Sequence, residues 1–342
     1  MCALPIGQQD THHAPSPLIV NTGQIRESDS AEFELNSQPW ELMIKPLDNN
    51  AFSHHKSYLV TPSFILYKSS YSSAIHLQGL TPEGMLGIGI PLKFGKRSLF
   101  WNSPINTHGI PATLPGGLDL VIDAGQTHMV ILIEISLLER MLTNKQFTAL
   151  KNGASRRQLP IIEHALGPFT QWLLKLLNHA QQQTDIFTQA LVLQSIEEDF
   201  LQQLLNVVRL PSQTSTKEPR QKRRKGFEVA LEFLREADFS SLSIPEICSK
   251  TGVSQRTLEY AFRENLSQTP VHFIKKLRFH AIRRKLLTAD SSELTIANTA
   301  YQYGIYDMGR FASIYKKNFG ELPSQTLLKP SVDSTNPFMT FK

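Results

Sequence analysis

The apolar and turn-forming positions near the C-terminus follow one pattern twice. Each copy has apolar residues at helical spacing, then a glycine, then a capping residue that opens a second apolar run. Glycine suits the left-handed turn that ends a helix, and Ser or Asp accepts a hydrogen bond from a free amide at the next helix start. The first copy contains Ile244, Cys248, Gly252, Ser254, Leu258 and Phe262, and the second contains Ile296, Ala300, Gly304, Asp307, Phe311 and Tyr315. The pattern predicts two helix-turn-helix units.

The second helix of each unit, predicted over 254–264 and 307–318, has a set of residues pointing away from its apolar stripe. Such residues can contact base edges or phosphates. The candidate DNA-binding residues are Gln255, Arg256, Glu259, Tyr260 and Arg263 in the first unit, and Met308, Gly309, Arg310, Ser313, Lys316 and Lys317 in the second. The start of the second set is poor in hydrogen-bonding groups. The first unit is therefore predicted to read sequence and the second to anchor mainly on phosphates.

A long helix is predicted from Pro270 to Leu287, between the two units. Its apolar stripe contains Phe273, Ile274, Leu277, Ala281, Ile282 and Leu286, and the basic residues placed around this stripe are Lys275, Lys276, Arg278, Arg283, Arg284 and Lys285. Such a helix is about 25 Å long at ~1.5 Å per residue. It can hold two recognition helices in successive major-groove faces about 34 Å apart. One unit alone would fit an ordinary helical hairpin, so the repeat and its spacer carry the DNA-binding interpretation.

Residues 227–328 resemble the DNA-binding domain of the AraC/XylS transcription regulators. The most specific stretch is 303–324, with its Gly-aromatic pair, acidic cap, Phe, basic pair, Phe-Gly and Pro. The positions that the resemblance makes structural are Gly252, Ser254, Leu258, Phe262, Gly304, Asp307, Phe311, Gly320 and Pro323. Ser267 and Ile305 depart from the usual Gly and Phe. Residues 309–312 with 323–327 are similar to the subgroup that contains ethanolamine-type catabolic activators.

Charge is concentrated in the same part of the chain. Residues 217–342 hold 21 Lys+Arg against 13 Asp+Glu, a net of +8, whereas residues 1–216 hold 14 against 17, a net of −3, and the two sum to +5. A basic surface favours phosphate contacts and steers encounters with a polyanion. The basic run at 220–225 is also typical of a solvated linker, so no recognition role is assigned to it.

The first half of the chain has short β-compatible runs bounded by turn residues, and its pattern becomes helical after Ser136. Strands are predicted at 40–44, 57–60, 64–67, 74–77, 86–91, 118–122 and 129–135, and long helices at 161–179 and 186–205. The stripe of the second helix, which suits either an internal core or a dimer face, is Phe187, Leu191, Leu193, Ile196, Phe200 and Leu204.

The predicted fold class is α+β with two domains. The N-terminal domain is β-rich, a cupin-like barrel or a sandwich with added helices, and the C-terminal domain is all-α. The predicted divisions are a flexible arm (1–25), a β-rich effector-sensing domain (26–150), a helical segment suited to dimerisation (151–210), a basic linker (211–226), the double helix-turn-helix domain (227–330) and a tail (331–342).

Several other classes of protein are disfavoured. Five histidines (His54, His55, His76, His108 and His128) invite a metal interpretation, but the close His pair followed by Glu that cupin enzymes use is absent, so no metal or cofactor is assigned. No phosphate-binding loop, nucleophile elbow or cysteine cluster appears. No apolar run reaches the ~18 residues of a membrane span. Cys2 and Cys248 make no disulfide framework. A cytoplasmic protein that is not an enzyme is expected.

The predicted function is that of a sequence-specific transcription regulator, an activator by resemblance. Double-stranded operator DNA is the expected partner. RNA polymerase, a small-molecule effector and a second copy of the chain are further partners that the resemblance implies. Two alternatives stay open, a cupin-type metal enzyme with an accessory DNA module and an architectural DNA binder without sequence preference.

Overall fold

The computed structural model describes residues 20–93, 95–105, 108–209, 227, 229–231, 233–234, 237–240, 242–266, 268–288 and 294–329. The first 19 residues of the predicted arm, the linker at 211–226, Ser267 and the tail at 331–342 lie outside the described residues.

Two antiparallel sheets pack face to face in the N-terminal half. The larger contains, in spatial order, β1 (Asn21–Glu27), β3 (His54–Val60), β4 (Phe64–Tyr71), β11 (Thr127–Glu134), β6 (Met85–Lys93), β9 (Gly109–Thr113) and β12 (Gln158–Pro160). The smaller contains β2 (Glu41–Pro46), β5 (Ile75–Leu80), β10 (Gly117–Ile122), β7 (Leu99–Phe100) and β8 (Ser103–Pro104). No strand in the described part of the chain joins β1 to β12, so the fold is the sandwich of the two predicted alternatives rather than a closed barrel.

The central strand β11 shows why the larger sheet is buried on both faces. Val130 and Leu132 point into the core between the sheets, whereas Met129, Ile131 and Ile133 point into a second core under the helices. This is the period of two expected of a strand. A strand covered on both faces has a continuous apolar sequence, and this is why β11 could be predicted.

In the described residues up to 209, six helices accompany the sheets. They are α1 (Ser30–Leu35), α2 (Ile135–Met141), α3 (Asn144–Ser155), α4 (Glu163–Gln182), α5 (Thr184–Phe187) and α6 (Ala190–Val207). Helices α4 and α6 cover the outer face of the larger sheet. In the α6 stripe Leu193, Phe200 and Leu204 are buried in this core, while Leu191 is 79% exposed. The stripe is therefore mostly internal core.

The seven predicted strands are present with bounds shifted by a few residues. The strand prediction missed β1, β7, β8, β9 and β12. Residues 21–25 were wrongly assigned to a flexible arm, because they belong to β1, where Asn21 pairs with Val60 and Glu27 with His54. The polar composition of β1 gave no alternating signal, and its order comes from pairing with a strand distant in sequence.

The C-terminal part is helical. Residues 227, 229–231 and 233–234 are helical, followed by α7 (Ile244–Thr251), α8 (Gln255–Leu266), α9 (Pro270–Thr288), α10 (Ile296–Gln302), α11 (Met308–Phe319) and α12 (Pro323–Leu327). Phe273 and Leu277 of α9 belong to one core, whereas Phe279 and Ile282 belong to another. Because one helix of about 28 Å contributes to both cores, it ties the two units to a common spacer. Within the described residues no helix is long and apolar enough to span a membrane.

Candidate nucleic-acid interface

The first helix-turn-helix unit consists of α7 and α8. Ser243 Oγ accepts a hydrogen bond from the Glu246 amide at 3.3 Å, which caps the start of α7. Gly252 ends this helix at φ +66°, in the left-handed region. Ser254 Oγ then accepts from the Thr257 amide at 3.2 Å and caps α8. The predicted cap Ser254 and the predicted turn glycine Gly252 are confirmed.

The outer face of α8 contains the residues predicted to read DNA. Gln255, Arg256, Tyr260 and Arg263 are exposed, and Glu259 is partly buried. Gln255 Nε2 donates to Glu259 Oε1 at 3.3 Å, and the Arg256 guanidinium lies 5.7 Å from the centroid of the Tyr260 ring. These contacts restrict the free side chains and so lower the entropy cost of contacting DNA.

The second unit consists of α10 and α11 and repeats this construction. Its turn glycine, Gly304, has φ +70°. Asp307 Oδ1 accepts from the Arg310 amide at 2.9 Å and caps α11. Gly320 ends that helix at φ +76°, and the Tyr315 hydroxyl donates to Thr326 Oγ1 at 2.9 Å in the core behind it.

Most of the predicted contact residues of α11 are exposed. These are Gly309, Arg310, Ser313, Lys316 and Lys317. Met308 is the exception, because it is partly buried and packs against the second core. The exposed face of α11 is therefore formed by cations, a glycine and a hydroxyl, which suits phosphate contacts.

The spacer helix α9 contains two arginines that the sequence pattern placed on its outside. Arg278 donates from Nε to the Phe239 carbonyl at 2.8 Å and from Nη2 to the Leu242 carbonyl at 2.7 Å, so it fastens the segment before α7 to the spacer. Burial lowers the pKa of Arg278 from its usual value. The surface placement of Arg283 was wrong, because this side chain is 1% exposed.

Arg283 lies in an ion cluster that joins the two halves of the chain. Its Nη1 is 3.3 Å from Glu34 Oε2 on α1, and its Nη2 is 3.1 Å from Glu321 Oε1. His280 Nδ1 is 2.6 Å from Glu34 Oε1. We call Asp29, Glu34, His280, Arg283, Glu321 and Lys329 the interdomain ion cluster. Sequence reasoning missed this cluster because Glu34 and Arg283 are 249 positions apart.

Lys329 closes the cluster on the other side of Glu321. Its Nζ is 2.6 Å from Asp29 Oδ2 and 2.8 Å from Glu321 Oε2. Burial alone would raise the pKa of Asp29, but hydrogen bonds from Lys329 and the Ala31 amide hold it below its usual value. Burial opposes the charge of Lys329, yet its bonds to both carboxylates raise its pKa. Both groups are therefore stabilised in their charged forms.

Apolar contacts join the N-terminal half to the first unit. Met43, Leu80 and Trp101 belong to the same core as Phe262 of α8. The Arg157 guanidinium stacks 3.4 Å from the Trp101 ring centroid and donates a hydrogen bond to Asn265 of α8. Helix α8 of the first unit therefore packs against the N-terminal half on the side opposite its exposed face.

The five histidines that suggested a metal site are dispersed over separate contacts. The His54, His76 and His108 side chains are bonded to Glu27, Asp119 and Glu163, respectively. His55 contacts Gln24, and His128 lies 3.4 Å from Gln126. In the ranges that the structure covers, no group of three or more possible ligands is arranged to hold a metal ion.

Known proteins match the sequence of this C-terminal part. Residues 247–329 match the family model of a helix-turn-helix domain. XylDLEGF operon transcriptional activator 2 of Pseudomonas putida is 32% identical over 101 residues, which are 30% of this chain and 64% of that protein. The C-terminal domain resembles the DNA-binding domain of the AraC/XylS regulators. The predicted resemblance is confirmed for this domain.

The match to curated relatives is confined to the C-terminal part. A probable thc operon regulatory protein of Rhodococcus erythropolis is 32% identical over 99 residues, 29% of this chain and 30% of that protein. The chain likewise spans 34% of XylDLEGF operon transcriptional activator 3 of Pseudomonas putida. Among solved structures, the AraC-like transcriptional activator CuxR aligns over 82% of this chain and 100% of its own, with 11% identity and a TM-score of 0.40. ToxT from Vibrio cholerae O395 aligns over 91% and 99%, with 12% identity and a TM-score of 0.33.

Proposed function

We propose that this chain is a sequence-specific DNA-binding transcription regulator whose N-terminal half controls the C-terminal AraC/XylS-type domain. The observation that carries the proposal is the pair of capped helix-turn-helix units on the single spacer α9, each with an exposed outer face. The relatives named above are themselves named as operon regulators or activators. Regulation rather than catalysis is the role that this arrangement serves.

The two units have different tasks in the proposed complex. The α8 face offers Arg256 for a bidentate contact to guanine and Gln255 for adenine, which are the side-chain types that discriminate base pairs. The α11 face offers Arg310, Lys316 and Lys317, whose charges suit the DNA backbone at any sequence. The first unit therefore specifies the operator, and the second supplies affinity and register.

The contacts between the halves support control of DNA binding. The interdomain ion cluster holds α9, and Trp101 with Arg157 holds the first unit. A change in the N-terminal half that breaks these contacts alters how the two recognition helices are presented to DNA. Activation through RNA polymerase, response to a small-molecule effector and pairing of two copies are the further properties that this proposal includes.

The test is selection of bound duplexes from a random library by the full chain, followed by footprinting under excess competitor DNA. A recovered motif with a localised footprint is expected. Recovery of no motif, with a footprint that fails to localise, would instead identify an architectural DNA binder. Transcription in vitro with purified polymerase and the selected operator then measures the direction of regulation, with an increase expected.

A further inference from the structure

A groove of about 450 Å³ lies between the two helix-turn-helix units. Leu242 and Ile244 border it from the first unit, and α9 contributes residues between Val271 and Phe279. The second unit forms the other side with its turn and with Arg310 of α11. Since Arg310 also belongs to the exposed face of α11, the groove adjoins the surface that is proposed to contact DNA.

The floor of the groove is apolar. Ile274 and Phe279 of α9 and Phe311 of α11 line it and are buried. Two large side chains at its edges are exposed instead, Val271 on α9 by 63% and Tyr306 in the turn of the second unit by 75%. Single exposed apolar residues are common on protein surfaces, but two that border one groove mark a surface suited to contact with another molecule.

The lining of the groove is positively charged. Among the described residues it contains three cations, Lys275, Arg278 and Arg310, and one carboxylate, Asp307, which gives a net charge of +2. Arg278 is bonded to two backbone carbonyls, and Asp307 accepts from the Arg310 amide. Within the described part of the chain, neither the Lys275 ammonium nor the Arg310 guanidinium forms a hydrogen bond or an ion pair, and both residues are exposed. Both charges are therefore available to an anion.

Lys275 lies where the charged and the apolar parts of the groove meet. Its Nζ is 6.0 Å from the centroid of the Phe279 ring on the floor. The next residue on α9, Lys276, points to the other side, because its Nζ donates to Gln78 Oε1 of the N-terminal half at 2.9 Å. The two adjacent lysines thus have different surroundings, and of the two only Lys275 lines the groove.

The sugar-phosphate backbone of DNA fits both parts of this surface. Recognition helices on one spacer enter major-groove faces about 34 Å apart, so the duplex presents a minor groove, flanked by two backbone strands, to the protein surface between them. Each strand alternates phosphate anions with deoxyribose rings, whose carbon–hydrogen faces are apolar. The anions match Lys275 and Arg310, and the sugars match Val271 and Tyr306.

We propose that the groove binds the sugar-phosphate backbone at the centre of the operator, between the two segments that α8 and α11 enter. The Lys275 ammonium lies on a central phosphate, and Val271 and Tyr306 lie against the adjoining sugars. The proposal rests on the proposed function, because it places the groove on the same duplex that the two units contact. It adds that base pairs which no side chain touches contribute to specificity, because their stiffness sets the cost of bringing the backbone into the groove.

The first test measures the salt dependence of DNA binding by the full chain. Lys275→Met keeps most of the side-chain length and removes the charge. It is expected to lower the slope of log affinity against log salt concentration by about 0.9, the contribution of one phosphate contact. Lys276→Met is the matched control, since it removes the same charge from the neighbouring position outside the groove and should leave the slope unchanged. An unchanged slope in Lys275→Met, or equal reductions in both variants, overturns the proposal.

A second test locates the contact along the DNA. The central phosphates of the selected operator are replaced one at a time by uncharged methylphosphonates, and the affinity of each duplex is measured for the unchanged protein and for Lys275→Met. At one or more central positions the replacement should weaken the unchanged protein more than the variant, by about twofold or more, the lower limit of coupling for groups in contact. Additive effects at every central phosphate, or coupling confined to phosphates outside the centre, overturn the proposal.

Val271 allows a third test, in which a charge is added to the groove. This residue is exposed and lies in the first turn of α9, where the helix dipole favours an acidic side chain. At low salt, Val271→Glu is expected to bind every duplex about threefold or more weakly than Val271→Gln, because its carboxylate lies beside the backbone phosphates. Circular dichroism checks that both variants are folded. Equal affinities of the two variants for DNA would leave the groove to a protein partner and overturn the proposal.

Selection of duplexes by the full chain separates this proposal from the proposed function. If no motif is selected, the proposed function fails, and the slopes of Lys275→Met and Lys276→Met on one duplex of arbitrary sequence then decide whether the groove contacts the backbone. If a motif is selected but the slope of Lys275→Met does not change, the groove proposal fails while the proposed function stands.

Discussion

The interdomain ion cluster yields the sharpest prediction. Replacing Glu34 with Gln keeps the shape of the side chain and removes its charge, and it leaves Arg283 with Glu321 as its remaining anionic partner. The Arg283 and Glu34 atoms are 3.3 Å apart. At an effective dielectric constant of about 20, unit charges at that separation attract by about 5 kcal/mol, from which the desolvation of both groups must be subtracted.

Removing one partner of a buried pair usually costs about 3–5 kcal/mol, because the other charge remains buried. Arg283 is 1% exposed and Glu34 3%, so solvent cannot compensate. Since Glu321 remains, we expect Glu34→Gln to lower the free energy of unfolding by about 3 kcal/mol, at the lower end of that range. A urea titration followed by circular dichroism and tryptophan fluorescence measures the change.

Circular dichroism and tryptophan fluorescence together also show whether both halves of the chain lose stability. Because Met43, Leu80 and Trp101 still join the halves in Glu34→Gln, both probes should report one transition with the same loss of stability. A double-mutant cycle that combines Glu34→Gln with Arg283→Met should show an interaction energy of about 2 kcal/mol between the two residues, since they belong to one network. Glu83→Gln, an exposed site, is the control and should change stability by less than about 0.5 kcal/mol. The reasoning is refuted if Glu34→Gln lowers stability by less than about 0.5 kcal/mol and its effect adds fully to that of Arg283→Met.

Four further predictions concern helices α8 and α11 and the buried His128. Arg256→Ala should cost about 1–3 kcal/mol of discrimination at one base pair. Lys316→Ala should instead weaken binding to all duplexes alike and reduce the slope of log affinity against log salt concentration by about 1. Competitive fluorescence anisotropy measures both effects, and a full operator preference in Arg256→Ala contradicts the assignment. Gly309→Ala should stabilise α11 by about 0.5–1 kcal/mol, because alanine loses less backbone entropy in a helix than glycine and the added methyl meets only Asp307 Oδ1 at 3.7 Å. A thermal melt measures the change, and a lower melting temperature would show that glycine is required there. Burial lowers the pKa of His128 from 6.5 to about 4, so on acidification the unfolded chain takes up a proton at this residue before the folded chain does. About 3 kcal/mol of stability is therefore lost as pH falls from 6.5 to 4. Stability that falls as steeply with pH in His128→Gln as in the unchanged protein would contradict this.

The C-terminal units were predictable because their signals are local. A cap, a turn glycine and apolar residues at helical spacing all lie within one or two turns of each other, and the backbone geometry of Gly252, Ser254 and Asp307 follows from that neighbourhood. The strands with continuous apolar runs were predictable for the same reason. Strand β1 was not, because its polar residues become ordered only through pairing with β3.

The amino-acid sequence alone determined the two helix-turn-helix units, their spacer and the uneven charge. Only the tertiary structure decided that Arg283 is buried beside Glu34, that Met308 turns towards the core, and that Lys275 and Arg310 line one groove between the two units. The physical reason is the distance along the chain over which each interaction acts. Helix caps and turns depend on neighbours along the chain, whereas burial of a charge depends on partners that only the folded protein brings within hydrogen-bonding distance.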